Sequence, residues 1–231
     1  MKKLGLVGGT SWISTVDYYR FINEGINEKL GGLNFAELII YSVNFNDFQH
    51  YNTTGNWDAT YKLMFDACKN LERAGAEAII LCANTSHAVA QRLEETIDIP
   101  VIHIVTATAS EIHKQGIKKV GLLGTKFTME MDFYKDKLKE ERIEAIVPAT
   151  VEIRNFMQQR IKEEMGRGVF TEETKQAFIS IINQLVKEGA EGIILGCTEI
   201  PMLISQEDVA VPVFDTTKIH SQAAVEFALS V

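Results

Sequence analysis

The strongest constraint on how this chain can fold is that it repeats itself. The stretch Gly189-Ala-Glu-Gly-Ile-Ile-Leu-Gly-Cys197-Thr-Glu-Ile-Pro201 recurs, altered, as Gly75-Ala-Glu-Ala-Ile-Ile-Leu-Cys-Ala83-Asn-Thr85, at an offset of 114 residues. Lys118-Lys-Val-Gly-Leu-Leu-Gly-Thr125 likewise echoes Lys2-Lys-Leu-Gly-Leu-Val-Gly-Gly9, at an offset of 116. Two independent matches at nearly one spacing argue for an internal duplication. In each copy of the first stretch a helix-ending glycine precedes a buried β-branched strand, and a small polar cluster stands where the strand stops. Open α/β sheets hold their ligands at such strand ends.

The rest of the chain fits that frame. Strands are predicted at Leu4–Val7, Ala36–Val43, Ala78–Ala83 and Val101–Val105, and again at Lys118–Thr125, Glu144–Val147, Gly192–Cys197 and Val211–Phe214. Helical periodicity places Val16, Tyr19, Ile22, Ile26 and Leu30 on one face, and Tyr61, Met64, Phe65, Cys68 and Leu71 on another. Cys68 therefore reads as a core residue. Asn44 to Asp58 reads as a polar loop. Further apolar stripes run through Val89 to Ile97, Phe133 to Leu138, Ile153 to Met165 and Phe178 to Val186. Thr171 with Glu172 and Glu173 makes a good helix start, as does Thr216 or Thr217. Strands alternating with amphipathic helices mean parallel sheets covered on both sides. The expected architecture is α/β: two pseudo-symmetric parallel-sheet α/β domains from an internal duplication, with the active site in the cleft between them. The halves are read as 1–99 plus 212–231, and 100–211.

Composition narrows the function classes. A net charge of -8 favours small-molecule partners over nucleic acid or an anionic membrane surface. No apolar run approaches the ~20 residues of a membrane span, and the N-terminus runs straight into a strand, so the cytoplasm is the expected compartment. Three cysteines lie far apart without CxxC spacing, and five histidines form no HxxxH or HExxH pair, so reduced thiols and no metal site are expected. Gly5-x-x-Gly8-Gly9 is not the dinucleotide fingerprint, no GxxxxGK[ST] exists, and nothing marks a lysine for a pyridoxal Schiff base. The chemistry is expected to need no cofactor.

Four polar clusters end corresponding strands: Gly8-Gly9-Thr10-Ser11, Asn84-Thr85, Gly124-Thr125 and Thr198-Glu199. Such turns leave backbone N–H groups able to hold a carboxylate or phosphate, although any one of them could serve only its own helix. Together with Gly5-Leu-Val-Gly-Gly-Thr-Ser-Trp12, Asn84-Thr85-x-His87, Leu122-Leu-Gly-Thr125, Gly196-Cys-Thr-Glu-Ile-Pro201 and Phe214-Asp-Thr216, they give a chain that resembles the cofactor-independent aspartate/glutamate racemase superfamily. The likeness is greatest to its aspartate-racemase and broad-specificity amino-acid racemase branch. The resemblance implies two domains clasping an amino acid or dicarboxylate, a homodimer, and two thiols that act as base and acid on opposite faces of the α-carbon. A thiol, with a reference pKa of ~8.5, can serve in either state. Thr10, Ser11, Asn84, Thr85, Thr125, Thr198 and Glu199 become the candidate substrate-binding residues, and Cys197 the candidate catalytic thiol.

The chain departs from that pattern at one place. Where the family carries its first catalytic residue, usually Cys and sometimes Thr, stands Ala83. Both the family motif and the internal repeat give this register. Cys82 is one residue away, and strand alternation directs it to the opposite face unless a bulge re-aims it. Three outcomes are open. One is a racemase in which Cys82, a hydroxyl such as Thr85 or water supplies the second acid. Another is a single-thiol relative resembling arylmalonate decarboxylase. The third is a non-catalytic amino-acid or dicarboxylate binder. The Pro-Asp-Arg motif of aspartate-specific relatives is also missing, Ser42-Val-Asn-Phe-Asn-Asp-Phe48 standing in its place, so Arg154 or Lys162 is left as a partner for a side-chain carboxylate.

Overall fold

The structure is a computed structural model and describes residues 1–230. The chain divides into two compact units, one formed by Met1–Ile104 with the chain from Thr217 onward, the other by Val105–Thr216. Each unit ends on the first residue of a helix, since Ile104 opens one and Thr216 another. Among the described residues no helix is long and apolar enough to cross a membrane.

The first unit contains β1 (Leu4–Gly8), α1 (Trp12–Leu30), β2 (Leu38–Ser42), α2 (Phe45–Thr53), α3 (Trp57–Arg73), β3 (Ala78–Leu81) and α4 (Ala90–Glu94), with a 3-10 turn at Thr85–Val89. Its strands run parallel in the order β2-β1-β3, with Gly5 opposite Ile39 and Ile79. The second unit contains α5 (Ile104–Lys114) beyond its first residue, β4 (Lys119–Gly124), α6 (Lys126–Glu130), α7 (Asp132–Glu140), β5 (Glu144–Ile146), α8 (Val151–Glu163), α9 (Glu172–Lys187), β6 (Gly192–Gly196) and β7 (Val213–Asp215). Its parallel order is β5-β4-β6-β7, with Gly121 opposite Ile146 and Ile193. The last helix, α10 (Thr216–Leu229), returns the chain to the first unit.

The repeat read in the sequence is a repeat of hydrogen bonds. Gly75 and Gly189 both stand at positive φ, +90° and +96°, just past α3 and α9. In each case the next residue bonds back into the helix, Ala76 N–H to Leu71 O and Ala190 N–H to Leu185 O. The acid after it then meets the lysine pair before the first strand of the unit. Glu77 N–H bonds to Lys3 O while its carboxylate accepts from Lys3 N–H, and Glu191 does the same with Lys119 O and Lys118 N–H. Ile79 and Ile193 then both donate to a proline carbonyl, Pro100 and Pro212.

Strand alternation sorts the core of the first unit into two layers. Ile79 and Leu81 pack with Met64, Cys68, Leu71 and Phe48, whereas Ile80 and Cys82 pack with Leu4, Leu6, Tyr18, Ile22, Ile26 and Val225. In the second unit Ile193, Leu195 and Cys197 share one layer with Met157, Phe178, Ile182 and Leu185.

Three local expectations are corrected. The supposed loop from Asn44 to Asp58 carries α2, started by the Asn44 side chain and anchored by buried Phe48 and by Asn52, whose side-chain Oδ1 accepts from Thr60 Oγ1 at 2.8 Å. The run Val101–Val105 contributes only one bridge, Val101 to Ile79, because the N–H of Ile104 is turned to His87 Nε2 and α5 begins there. On α1 the buried face is Tyr18, Ile22 and Ile26, leaving Val16, Tyr19 and Leu30 exposed.

A side chain at positive φ is strained by roughly 1–2 kcal/mol. Gly75→Ala and Gly189→Ala should therefore each lower stability by about that amount, read as a shift in the urea midpoint.

Candidate active site

In the first unit the chain leaves β1 through Gly9, whose φ of +81° and closeness to Val43 O exclude a side chain. The Gly9 N–H bonds to Thr15 Oγ1 at 2.9 Å, and Ser11 caps α1 by accepting from Ser14 N–H. Between them Thr10 is buried, and its hydroxyl has no hydrogen-bond partner. A buried hydroxyl without a partner costs free energy unless a ligand satisfies it.

At the end of β3 the Cys82 N–H still joins the ladder at Val7 O, while Ser14 Oγ holds the Cys82 carbonyl at 2.7 Å. Cys82 is wholly buried in the layer beneath α1 and α10, its thiol donating weakly to Ile80 O, and burial pushes that thiol well above the usual range. Ala83 follows on the other face, half-buried. Its carbonyl is gripped by Ser86 Oγ at 2.6 Å and His87 Nδ1 at 2.9 Å. Asn84 and Thr85, both buried, form the turn itself.

In the second unit Thr125 caps α6, accepting from Thr128 N–H. Cys197 follows β6 with only 7% of its surface exposed. Its thiol donates to Glu199 Oε2 at 2.9 Å, and Thr198 Oγ1 donates to the same oxygen at 2.8 Å. Burial, then the Glu199 charge, then the hydrogen bond to Glu199 drive the Cys197 thiol well above its ordinary value. Cys197 thus rests as a neutral thiol that donates to Glu199. Two residues earlier, Leu195 O is tied to the hydroxyl of buried Thr216 at 3.0 Å.

The side chains singled out for a carboxylate are placed differently. Arg154 is engaged by Glu130 and by the carbonyls of Pro148 and Ala149, and Lys162 is exposed. Arg154 borders a hollow of about 470 Å³ with Lys126, Glu130 and Lys135, which does not include Cys197. Sequence reasoning missed the supporting contacts of Thr216, Ser14 and His87. Motifs carried a signal for His87 and Thr216, and none for Ser14.

Against known proteins, residues 7–224 match the model of the Asp/Glu/Hydantoin racemase family. The chain belongs to that family. It is 44% identical to a Yersinia pestis structure provisionally designated an Asp/Glu racemase, each chain covered in full, with a TM-score of 0.93. An aspartate racemase homologue from Pyrococcus horikoshii is 41% identical, again with full coverage of both, at a TM-score of 0.87. The broad specificity amino-acid racemase RacX of Bacillus subtilis is 24% identical over 75% of this chain and 74% of its own. Within this racemase-family chain, both the alternation of faces and the repeat align Cys197 with Ala83, since Leu195 matches Leu81 and Ile193 matches Ile79.

Two consequences can be measured. Glu199→Gln removes a charge that opposes the thiolate, so the ultraviolet thiolate absorbance of Cys197 should develop at lower pH than in the parent. Burial should still hold it above a free cysteine. Separately, burial lowers His87 well below its ordinary value, helped by His103 and His220, and lowers His220 to about 4. A base whose folded pKa lies below its unfolded value stabilises the fold above the unfolded pKa, and that stabilisation is lost as pH falls toward the folded one. Denaturation midpoints should therefore drop between about pH 6.5 and 4, with His220 alone contributing about 3 kcal/mol.

Proposed function

We propose that the protein is an amino-acid racemase-type enzyme that exchanges the α-proton of its substrate through Cys197, with Glu199 as proton partner, and without a second thiol at Ala83. The observation that carries this reading is the short bond from the Cys197 thiol to the Glu199 carboxylate at the end of β6. A lone buried thiol is a poor base, because its pKa is raised by the burial itself. A thiol that can hand its proton to a carboxylate 2.9 Å away can act in both directions.

In the forward sense the Cys197 proton passes to Glu199 Oε2. The thiolate then takes the α-proton, forming S–H as C–H breaks, and the electron pair of that bond spreads into the substrate carboxylate. In the reverse sense the thiol returns a proton to the same face of the carbon. The unpartnered Thr10 hydroxyl, with Ser11, Asn84, Thr85, Thr125 and Thr198, is assigned to the substrate carboxylate and ammonium, in keeping with oriented donors stabilising developing negative charge. Ala83 presents only a methyl group, so delivery to the second face depends on water or a neighbouring hydroxyl.

Each enantiomer of a panel of amino acids, incubated in heavy water and analysed by mass spectrometry and chiral separation, tests this. Deuterium should enter the α-position faster than configuration inverts. Cys197→Ala should lower exchange by at least about 100-fold, the usual worth of a positioned acid/base. Ala83→Cys should raise inversion relative to exchange. Exchange that survives Cys197→Ala would overturn the assignment. Carbon dioxide release from malonates, with no amino-acid exchange, would favour the decarboxylase reading instead.

A further inference from the structure

The first unit holds a packed group of imidazoles that the proposed chemistry does not use. His87 and His220 are buried, with ring centroids 5.5 Å apart, and His103 lies 4.8 Å from His87. Hydrogen bonding fixes the proton on two of them. His87 Nδ1 faces the carbonyl of Ala83, which can only accept, and His87 Nε2 faces the N–H of Ile104, which can only donate. His87 is therefore neutral with its proton on Nδ1. His220 Nε2 faces the carbonyl of Ile102 at 2.6 Å, so its proton is on Nε2, and Nδ1 accepts from the Tyr18 hydroxyl at 2.8 Å. The two neighbours are opposite tautomers, and a second proton on His87 would have to displace the Ile104 N–H from Nε2.

Their four partners are not scattered. Ala83 is the residue aligned with Cys197, and Ile102 and Ile104 lie where the chain leaves the first unit. Tyr18 stands on α1, behind the Thr10-Ser11 turn. His87 thus spans the end of β3 and the first residue of α5. A trans peptide is planar with C=O and N–H opposed, so holding the Ala83 carbonyl sets the plane of the Ala83–Asn84 peptide and the start of the turn that carries Asn84 and Thr85.

We infer that His87 is a positioning residue of the candidate site: as a neutral Nδ1–H imidazole it clamps the Ala83–Thr85 turn to the start of α5, and His220 holds the neighbouring Ile102 carbonyl from α10. The groups facing His87 include His103, His220, the backbone of Ala83 and Asn84 and the Ile104 N–H, and those facing His220 include the Tyr18 hydroxyl and the Ile102 carbonyl; no carboxylate is among these groups. A charged imidazole here meets two other histidines and loses an accepted hydrogen bond.

The test has a structural arm and a kinetic arm, and only the second rests on the function proposed above. In nitrogen-15 histidine spectra of the full chain, two imidazoles should stay neutral from about pH 6 to 8, where an ordinary histidine titrates. One should be protonated on Nδ1 and lost in His87→Asn, the other protonated on Nε2 and retained. A His87 ring protonated on Nε2, or titrating in that range, overturns the clamp. Kinetically, His87→Ala should raise the KM for amino-acid α-proton exchange about tenfold, while kcat changes less than about threefold, because the turn carries binding groups and the chemistry is on Cys197. His87→Asn, whose amide N–H can replace Nδ1–H toward Ala83, should restore most of the KM. A native KM in His87→Ala, or no rescue by asparagine, overturns the positioning role. If the native chain exchanges no amino acid, the proposed function falls, and the tautomer pattern still decides the clamp.

Discussion

One residue of register governs the whole site. Side chains alternate along a strand, and in sheets covered on both faces each face is committed to a different packed layer. Ile80 and Cys82 belong to the layer under α1 and α10; Ile79 and Leu81 belong to the layer under α2 and α3. To bring the Cys82 thiol to the turn where Ala83 stands, β3 must slip by one residue. That slip would move Ile80 into the layer under α2 and α3 and Leu81 into the layer under α1 and α10. It would also break the Cys82 N–H bond to Val7 O and the Ser14 bond to the Cys82 carbonyl. The thiol nearest the gap is thus held out of it by the core.

The same rule gives Cys197 its place. It shares a face with Ile193 and Leu195, at the end of a central strand whose backbone is tied down by Thr216. What surrounds it decides its protonation. A neighbouring cation favours thiolate, and a neighbouring carboxylate opposes it. Here the neighbour is Glu199, which together with burial holds Cys197 as a thiol.

Much of this was legible in the sequence because it depends on local pattern. The two glycines at positive φ, the buried strands after them and the caps at Ser11, Thr125 and Thr171 are each set by a few adjacent residues. The register that pairs Ala83 with Cys197 came from the repeat, and the layers of the core give the same pairing. What could not be read depends on partners far along the chain. Helix α2 is mostly polar and is secured by Phe48 and by the Asn52–Thr60 bond. Val101–Val105 has the composition of a strand, but its pairing stops where Ile104 turns to His87, 17 residues earlier. The Glu199 contact was two residues from the cysteine and still invisible, since spacing does not say that a side chain folds back.

The two units share a scaffold but differ in how their strand ends are fastened, and that difference bears on function. Each repeats a left-handed glycine, an acid bridging to the lysine pair and a proline carbonyl receiving an isoleucine N–H. Each ends where a helix begins. At that point the second unit uses a hydroxyl, Thr216 to Leu195 O, whereas the first uses an imidazole, His87 to Ile104. A hydroxyl fastening is indifferent to pH across the neutral range, but an imidazole fastening holds only while the ring is neutral. The strand end carrying Cys197 is therefore fastened by a hydroxyl, and the strand end carrying Ala83 by an imidazole together with the Ser14 and Ser86 hydroxyls. A second proton on His87 would displace the Ile104 N–H from Nε2 while leaving Nδ1–H on the Ala83 carbonyl.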